Sequence, residues 1–244
     1  MDSACLDLSR FLGSYRGHSD SVKAQGLEYY QRERALDRNG VELVELFDRA
    51  YVVLAGVQWL IWLGLERFSK GDYEGADTFL GLACTPEEPE QTDALVWRHL
   101  AKARLESRKF QEASQALTIL LSLDQEQFWK ADALLDHSHV LIGLQMWEEA
   151  RTAAGEALTL EPHGTIQAGL YMALADIAMH SMNYKAASAN YLKASEMFID
   201  DREIKPLGLF RAAEALEKDG QAEEAARIRE QLLHEFPAWN SPKN

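Results

Sequence analysis

The sequence predicts an all-α chain folded as a solenoid of helix–turn–helix repeats, and three observations carry that reading. An alanine recurs at Ala76, Ala113, Ala150 and Ala187, each 37 residues after the last, and again at Ala225 after 38. Three places before each stands an aromatic or small residue: Tyr73, Phe110, Trp147, Tyr184 and Ala222. Strand signals are missing, because no sustained two-residue alternation bounded by Asn-Gly or Asp-Gly appears.

In chain order, residues 1–23 come first as an N-terminal capping segment, with apolar Leu6, Leu8, Phe11 and Leu12. A weaker first repeat spans about 24–56 and carries an imperfect copy of the string from Leu43 to Ala50. Five more follow at about 57–93, 94–130, 131–167, 168–205 and 206–239, and 240–244 form a tail. Each repeat is expected to hold a first helix, a tight turn, and a second helix opening near glutamates such as Glu74, Glu112, Glu148 and Glu223. Acidic residues in a first turn complement the positive end of the helix dipole. The recurrent alanine lets two helix axes approach closely. Prolines agree with this division. Pro86, Pro89, Pro162, Pro206 and Pro237 fall between repeats or at a repeat's start, and Pro242 lies beyond the last. None interrupts a helix interior, where it would cost about 3 kcal/mol.

Composition sets the class. Of 244 residues, 47% are apolar and 26% charged, an ordinary globular balance with enough apolar residues for a core. The net charge of −14, with no Lys/Arg-rich run, argues against nucleic acid, whose phosphates need cations to neutralise them. Cys5 and Cys84 are too few for a disulfide framework and lack zinc-site spacing. Ala50 to Leu65 is apolar apart from Gln58, yet shorter than the ~20 residues that span a bilayer, so no membrane insertion is expected. No signal segment opens the chain as written. It reads as cytoplasmic, or as a cell-envelope or periplasmic protein if such a segment has been removed.

The repeat resembles that of the tetratricopeptide repeat family. From Val57 it shows Leu60, Leu63-Gly64, Gly71, Tyr73, Ala76, Leu80 and Ala83. Next come Trp97, Leu100-Ala101, Phe110, Ala113, Leu117 and Leu120. The third repeat departs, with His137-Ser138 in place of Leu-Gly, but keeps Trp147, Ala150, Ala157 and Pro162. The fourth has Tyr171, Leu174-Ala175, Tyr184, Ala187, Tyr191 and Ala194, and the last Leu209, Ala212-Ala213, Gly220, Ala225, Leu232 and Pro237. The resemblance implies a right-handed superhelix whose first helices line an inner binding groove. The 37-residue period exceeds the family's usual 34. The closing string from Leu232 through Phe236-Pro237 to Ser241-Pro242-Lys243 is similar to that of bacterial envelope members, the Tol-Pal-associated and outer-membrane-assembly groups. Ala238-Trp239 is an insertion in it.

On this register the aromatics Tyr73, Phe110, Trp147 and Tyr184, with Trp97 and Tyr171, belong to the core. His137 is expected there too, bonded to a backbone carbonyl. The groove is assigned Trp62, Leu65 and Phe68 in one repeat, with Gln58 and Ile61, and Arg98, His99 and Lys102 in the next, with Leu95 and Leu105. Asp136 and His139 follow, beside Asp132, Leu135 and Ile142, then Asp176 and Met179 beside Gly169, Met172 and His180, and finally Phe210, Arg211 and Glu214. The surface grades from aromatic to basic to acidic, which suits an extended or helical peptide. Trp62 and Phe68 are expected as aromatic anchors.

Arg98 and Lys102, at i and i+4, point one way and suit a carboxylate. That is similar to the carboxylate clamp of chaperone-tail-binding members, but Ile61 and Leu65 stand where those carry Lys and Asn. The clamp is incomplete, and solvated cations pairing with Glu106 are the plainer reading. Asp136 and His139, with His99 and His180, raise a metal hypothesis. Without a His-Glu-x-x-His or paired-Cys motif they read as a hydrated polar groove, and no metal or other cofactor is expected. No nucleophile elbow or phosphate loop occurs, and Ser138 diverges from its neighbouring histidines on a helix. No enzyme is expected. The sequence predicts a scaffold or adaptor that binds a protein or peptide. The alternative is a self-associating or regulatory module whose groove is filled by residues 1–23 or by a second copy in a homo-oligomer.

Overall fold

The computed structural model describes residues 57–123, 126–197 and 204–239. The expectations for residues 1–23, for the repeat at 24–56 and for the tail at 240–244 lie outside the described residues. The chain divides into two compact units, Met1–Ser107 and Arg108–Asn244. Regular structure among the described residues is entirely helical.

The first unit contains α1 (Val57–Ser69), α2 (Tyr73–Ala83), a 3-10 turn at Pro89–Gln91, and α3 (Ala94–Glu106). The second contains α4 (Phe110–Ser122), α5 (Gln127–Gly143), α6 (Trp147–Thr159), α7 (Gly164–His180), α8 (Tyr184–Met197), α9 (Ile204–Lys218) and α10 (Ala222–Glu235). No described helix is long and apolar enough to cross a membrane.

The second helices begin on the recurrent aromatic: Tyr73, Phe110, Trp147 and Tyr184 are each the first helical residue, and Ala222 takes that place in α10. A three-residue turn precedes every one. Its middle residue has positive φ each time, at Gly71 (74°), Arg108 (57°), Gln145 (62°), Met182 (58°) and Gly220 (80°). The next backbone N–H reaches back to close the preceding helix, as from Asp72 to the Arg67 carbonyl at 3.0 Å and from Met146 to that of Leu141 at 2.8 Å. Asn183 and Gln221 do the same toward Ala178 and Leu216, both at 2.9 Å. This helix-ending motif needs a left-handed residue, which glycine adopts without cost. Asp72 and Asn183 then cap the second helices, accepting from the N–H groups of Gly75 (3.1 Å) and Ala186 (3.2 Å).

The register alanines Ala76, Ala113, Ala150, Ala187 and Ala225 are all fully buried. Small residues on first helices serve the same close approach. A Cβ on Gly64 would lie 2.5 Å from the Leu80 side chain, and one on Gly143 would lie 2.7 Å from the Phe110 ring. In the second unit the leading aromatic of a second helix meets the last turn of the following first helix. Phe110 lies over Gly143, Trp147 stacks on His180 at 3.8 Å, and the Lys218 ammonium sits 5.9 Å from the centre of the Tyr184 ring. One joint is thus made three ways: by space, by ring stacking and by a cation over a ring.

The 37-residue step is reached in two ways. α5 and α7 have 17 residues each, whereas α3 has 13 and the step from Ala76 to Ala113 takes its length from the link between Ala83 and Ala94. Boundaries expected near 131 and 168 fall inside these helices, one turn past their starts at Gln127 and Gly164. Nothing in Gln127–Lys130 stops a helix, since it holds neither glycine nor proline. Pro206, buried in the first turn of α9, sits where its missing N–H costs least.

Candidate functional site

The first-helix face assigned to binding is a mixture of presented and packed side chains. In the first unit Trp62 and Leu65 are half-buried on α1. Phe68, expected as an open anchor, sets its ring edge against Tyr73 at 5.4 Å and His99 at 4.9 Å. His99 also places Nδ1 2.7 Å from the Leu95 carbonyl oxygen. Arg98, expected as a presented cation, is only 6% exposed, and Lys102 is half-buried. Both make interactions of their own. A guanidinium packed this deeply does not act as a freely solvated surface charge.

The second unit gathers more of the expected set. His139 is exposed on α5, whereas Asp136 is 8% exposed. Asp176 on α7 accepts a hydrogen bond from the Tyr191 hydroxyl, which rises from the fully buried side of α8. Burial pushes the Tyr191 phenol well above its ordinary pKa. The Asp176 charge and hydrogen bond add to that, Arg211 opposes it, and Glu214 reinforces it. Asp176, Arg211 and Glu214 therefore converge on one buried hydroxyl from α7 and α9. Met172 and Met179 flank Asp176, half-buried over the cluster that Ala175, Ala178, Tyr191 and Ala212 form beneath. Arg211 is exposed. Phe210, beside it, is half-buried with its ring 5.6 Å from that of Trp239. The structure thus sets Asp176 and Met179 of α7 over the α8 interior, with the Arg211 charge of α9 acting on the same Tyr191 hydroxyl, and gives Phe210 a cover from the C-terminal stretch.

The histidines named for metal binding have other neighbours. His99 belongs to the Phe68 ring cluster, and His180 is the ring stacked on Trp147. Among the described residues no group of three His, Cys, Asp or Glu side chains is placed to hold a metal ion.

His137 corrects another expectation. It bonds to no backbone carbonyl among the described residues but is half-buried, facing a cavity of about 600 Å³ between α4, α5 and α6. Burial pulls its pKa below 6.5, so its neutral form is favoured. One hint of this cavity is legible in the sequence, the departure of His137-Ser138 from the repeat pattern. Cys84 is buried, and its thiol is pushed up to about 12 by that burial, with Arg104 opposing.

No protein-family model matches this sequence, and a search of curated proteins finds no match. Solved structures do match. A crystal structure of MamA protein superimposes with a TM-score of 0.59 at 17% identity, covering 76% of this chain and 98% of that one. BtubC (BKLC) from P. vanneervenii gives 0.59 at 14% identity, covering 100% of this chain and 96% of that one. A second MamA structure gives 0.58 at 18% identity, covering 70% and 93%. The likeness is one of fold, and that fold is the tetratricopeptide-type helical repeat.

Proposed function

We propose that this chain is a polypeptide-binding scaffold, and that the face of α7 and α9 over α8 is where it holds a partner. One observation carries the reading. Asp176, Met172 and Met179 on α7 and Arg211 on α9 form a charged and apolar surface whose underside is locked by the buried Tyr191. Methionines adapt to an apolar surface, and side chains of opposite charge on it select orientation. A locked underside lowers the ordering cost of binding.

The narrower placement in bacterial envelope assembly has the closing string as its support. Phe236 and Trp239 in that string pack on Lys205 and Phe210, a use they would have in any compartment.

The test is capture of a partner by the full chain, followed by comparison of variants. Met179→Ala with Arg211→Glu should weaken binding at least about tenfold at a temperature where circular dichroism shows the variant still folded. Undiminished binding by that variant refutes the assignment of the face. A particle mass that halves when residues 1–18 are removed, with no partner bound before or after, would replace it with the self-association reading.

A further inference from the structure

The cavity beside His137 lies on the other side of α5 from the expected groove. Leu134, His137 and Leu141 share one helical stripe, while Asp132, Asp136 and His139 lie about half a turn away. The floor is apolar, made by Leu134 and Leu141 with Leu121 of α4 and Ala153 of α6. The rim carries Glu148, Glu149 and Glu156 of α6.

Two sequence features open it. Of the alanines on the buried face of α6, Ala153 lines the cavity, and its side chain reaches only a short way toward α4 and α5. His137 also stands at the register position of Leu63, Leu100 and Leu174, and Leu63 and Leu100 are buried core residues. The histidine therefore brings a polar ring to a place where a repeat of this kind has aliphatic bulk. That ring makes no hydrogen bond among the described residues, and burial favours its neutral form, with one donor and one acceptor nitrogen.

The charge around the opening has one dominant sign. The titratable groups lining the cavity are three glutamates and the histidine. Lys130 lies 3.3 Å from Glu156, and Arg151 lies 3.7 Å from Glu148, both in solvent where such pairs hold little. Glu149 makes no ion pair among the described residues. Met146, exposed at the rim, adds an adaptable apolar edge.

We propose that this cavity is a second docking site, which takes the side chain of an arginine or lysine from a basic segment of a protein partner. The inference rests on the chain being a polypeptide binder but not on the α7–α9 face. A basic side chain is an aliphatic stem ending in a cation. The stem fits the leucine floor, the cation meets the glutamates, and the imidazole acceptor takes one of its N–H groups. An acidic segment meets three like charges. A purely apolar one covers carboxylates without pairing them. The net charge of −14 steers basic partners toward the chain.

The probe is a short capped peptide alternating leucine and arginine, titrated into the full chain while the His137 ring protons are followed by nuclear magnetic resonance. Its counterpart carries glutamate in place of arginine. The arginine peptide is expected to bind saturably and shift the His137 signals, and the glutamate peptide to do neither. Glu149→Lys with Glu156→Lys should weaken binding about tenfold or more at low salt. Thr152→Arg, which sets a guanidinium at the mouth, should weaken it as well. These rim residues are exposed, so the variants should melt with the parent. Three results overturn the site: no saturable binding to the parent chain, binding that the paired reversal leaves intact, or equal loss from Glu223→Lys with Glu224→Lys on distant α10. Loss caused by Met179→Ala with Arg211→Glu, and not by the rim changes, moves the probe to the α7–α9 face and retains only the scaffold reading.

Discussion

The hairpins α5–α6 and α7–α8 share one plan and reach different interiors. Each has a 17-residue first helix, a three-residue turn with a non-glycine residue at positive φ, and a fully buried register alanine, Ala150 or Ala187. Where α8 carries Tyr191, α6 carries Ala154 at the same register position, and both are fully buried. Where α7 carries Leu174, α5 carries His137. In α7–α8 the tyrosine fills the interior and its hydroxyl fixes Asp176. In α5–α6 a cavity stays open on the side of α5 away from the groove, beside Ala153, and a histidine lines it. The difference teaches that a few register positions hold the backbone, and the volumes between them decide where an interior ends and a site begins.

Substitutions can break that comparison, the largest effect first. Tyr191→Ala removes the filling residue of the closed hairpin and should cost about 3–5 kcal/mol in chemical denaturation. Loss of no more than the cost of a surface change would mean that α7–α8 is not held by that ring. Tyr191→Phe keeps the ring but takes the donor from Asp176, and about 1–3 kcal/mol is expected. In the open hairpin, Ala150→Trp overpacks a contact with no spare room and should cost about 1–3 kcal/mol or more. His139→Ala, exposed on α5, is its neutral partner, at about half a kcal/mol or less.

Smaller effects sharpen the turns. Gly71→Ala and Gly220→Ala place a Cβ in open space but at positive φ, so backbone strain alone should cost about 1 kcal/mol each. Gln145→Gly relieves that strain and, after the entropy that glycine adds to the unfolded chain, should gain a few tenths of a kcal/mol. A loss there would show that the Gln145 side chain holds its turn.

The smallest effect is a pH dependence. His137 titrates near 6.5 when unfolded and lower when folded. Below 6.5 the unfolded chain therefore binds more protons, and stability falls with pH until the folded histidine protonates too. His137→Leu should flatten the melting temperature between neutral pH and mild acid relative to the parent. An unchanged slope would mean that the ring is not buried as described.

The helical fold and its register were legible because packing repeats. Ala113 or Phe110 must recur wherever the same joint recurs, so spacing alone exposes them. The turn glycines Gly71 and Gly220 were legible for the same reason, whereas Arg108, Gln145 and Met182 hid the same backbone conformation behind ordinary side chains. The face was harder to read. A helical stripe says which side Arg98, Phe68 or Asp136 is on, but not how deeply a neighbouring helix covers it. Phe68 meets His99 through another helix, and Phe210 meets Trp239 from a stretch that no periodicity places. The cavity lies beside Ala153, and alanine is also the mark of close packing. Only coordinates separate those two meanings.

The claim that a polypeptide partner is held over α8 has a direct readout in the methionines. Met172 and Met179 lie on the α7 face, half-buried, while Met182 and Met197 are exposed at the two ends of α8. With methyl-labelled methionine, the captured partner should shift the Met172 and Met179 signals in proportion to occupancy and leave Met182 and Met197 in place. Shifts confined to Met182 and Met197, with Met172 and Met179 unmoved at saturation, would contradict the account.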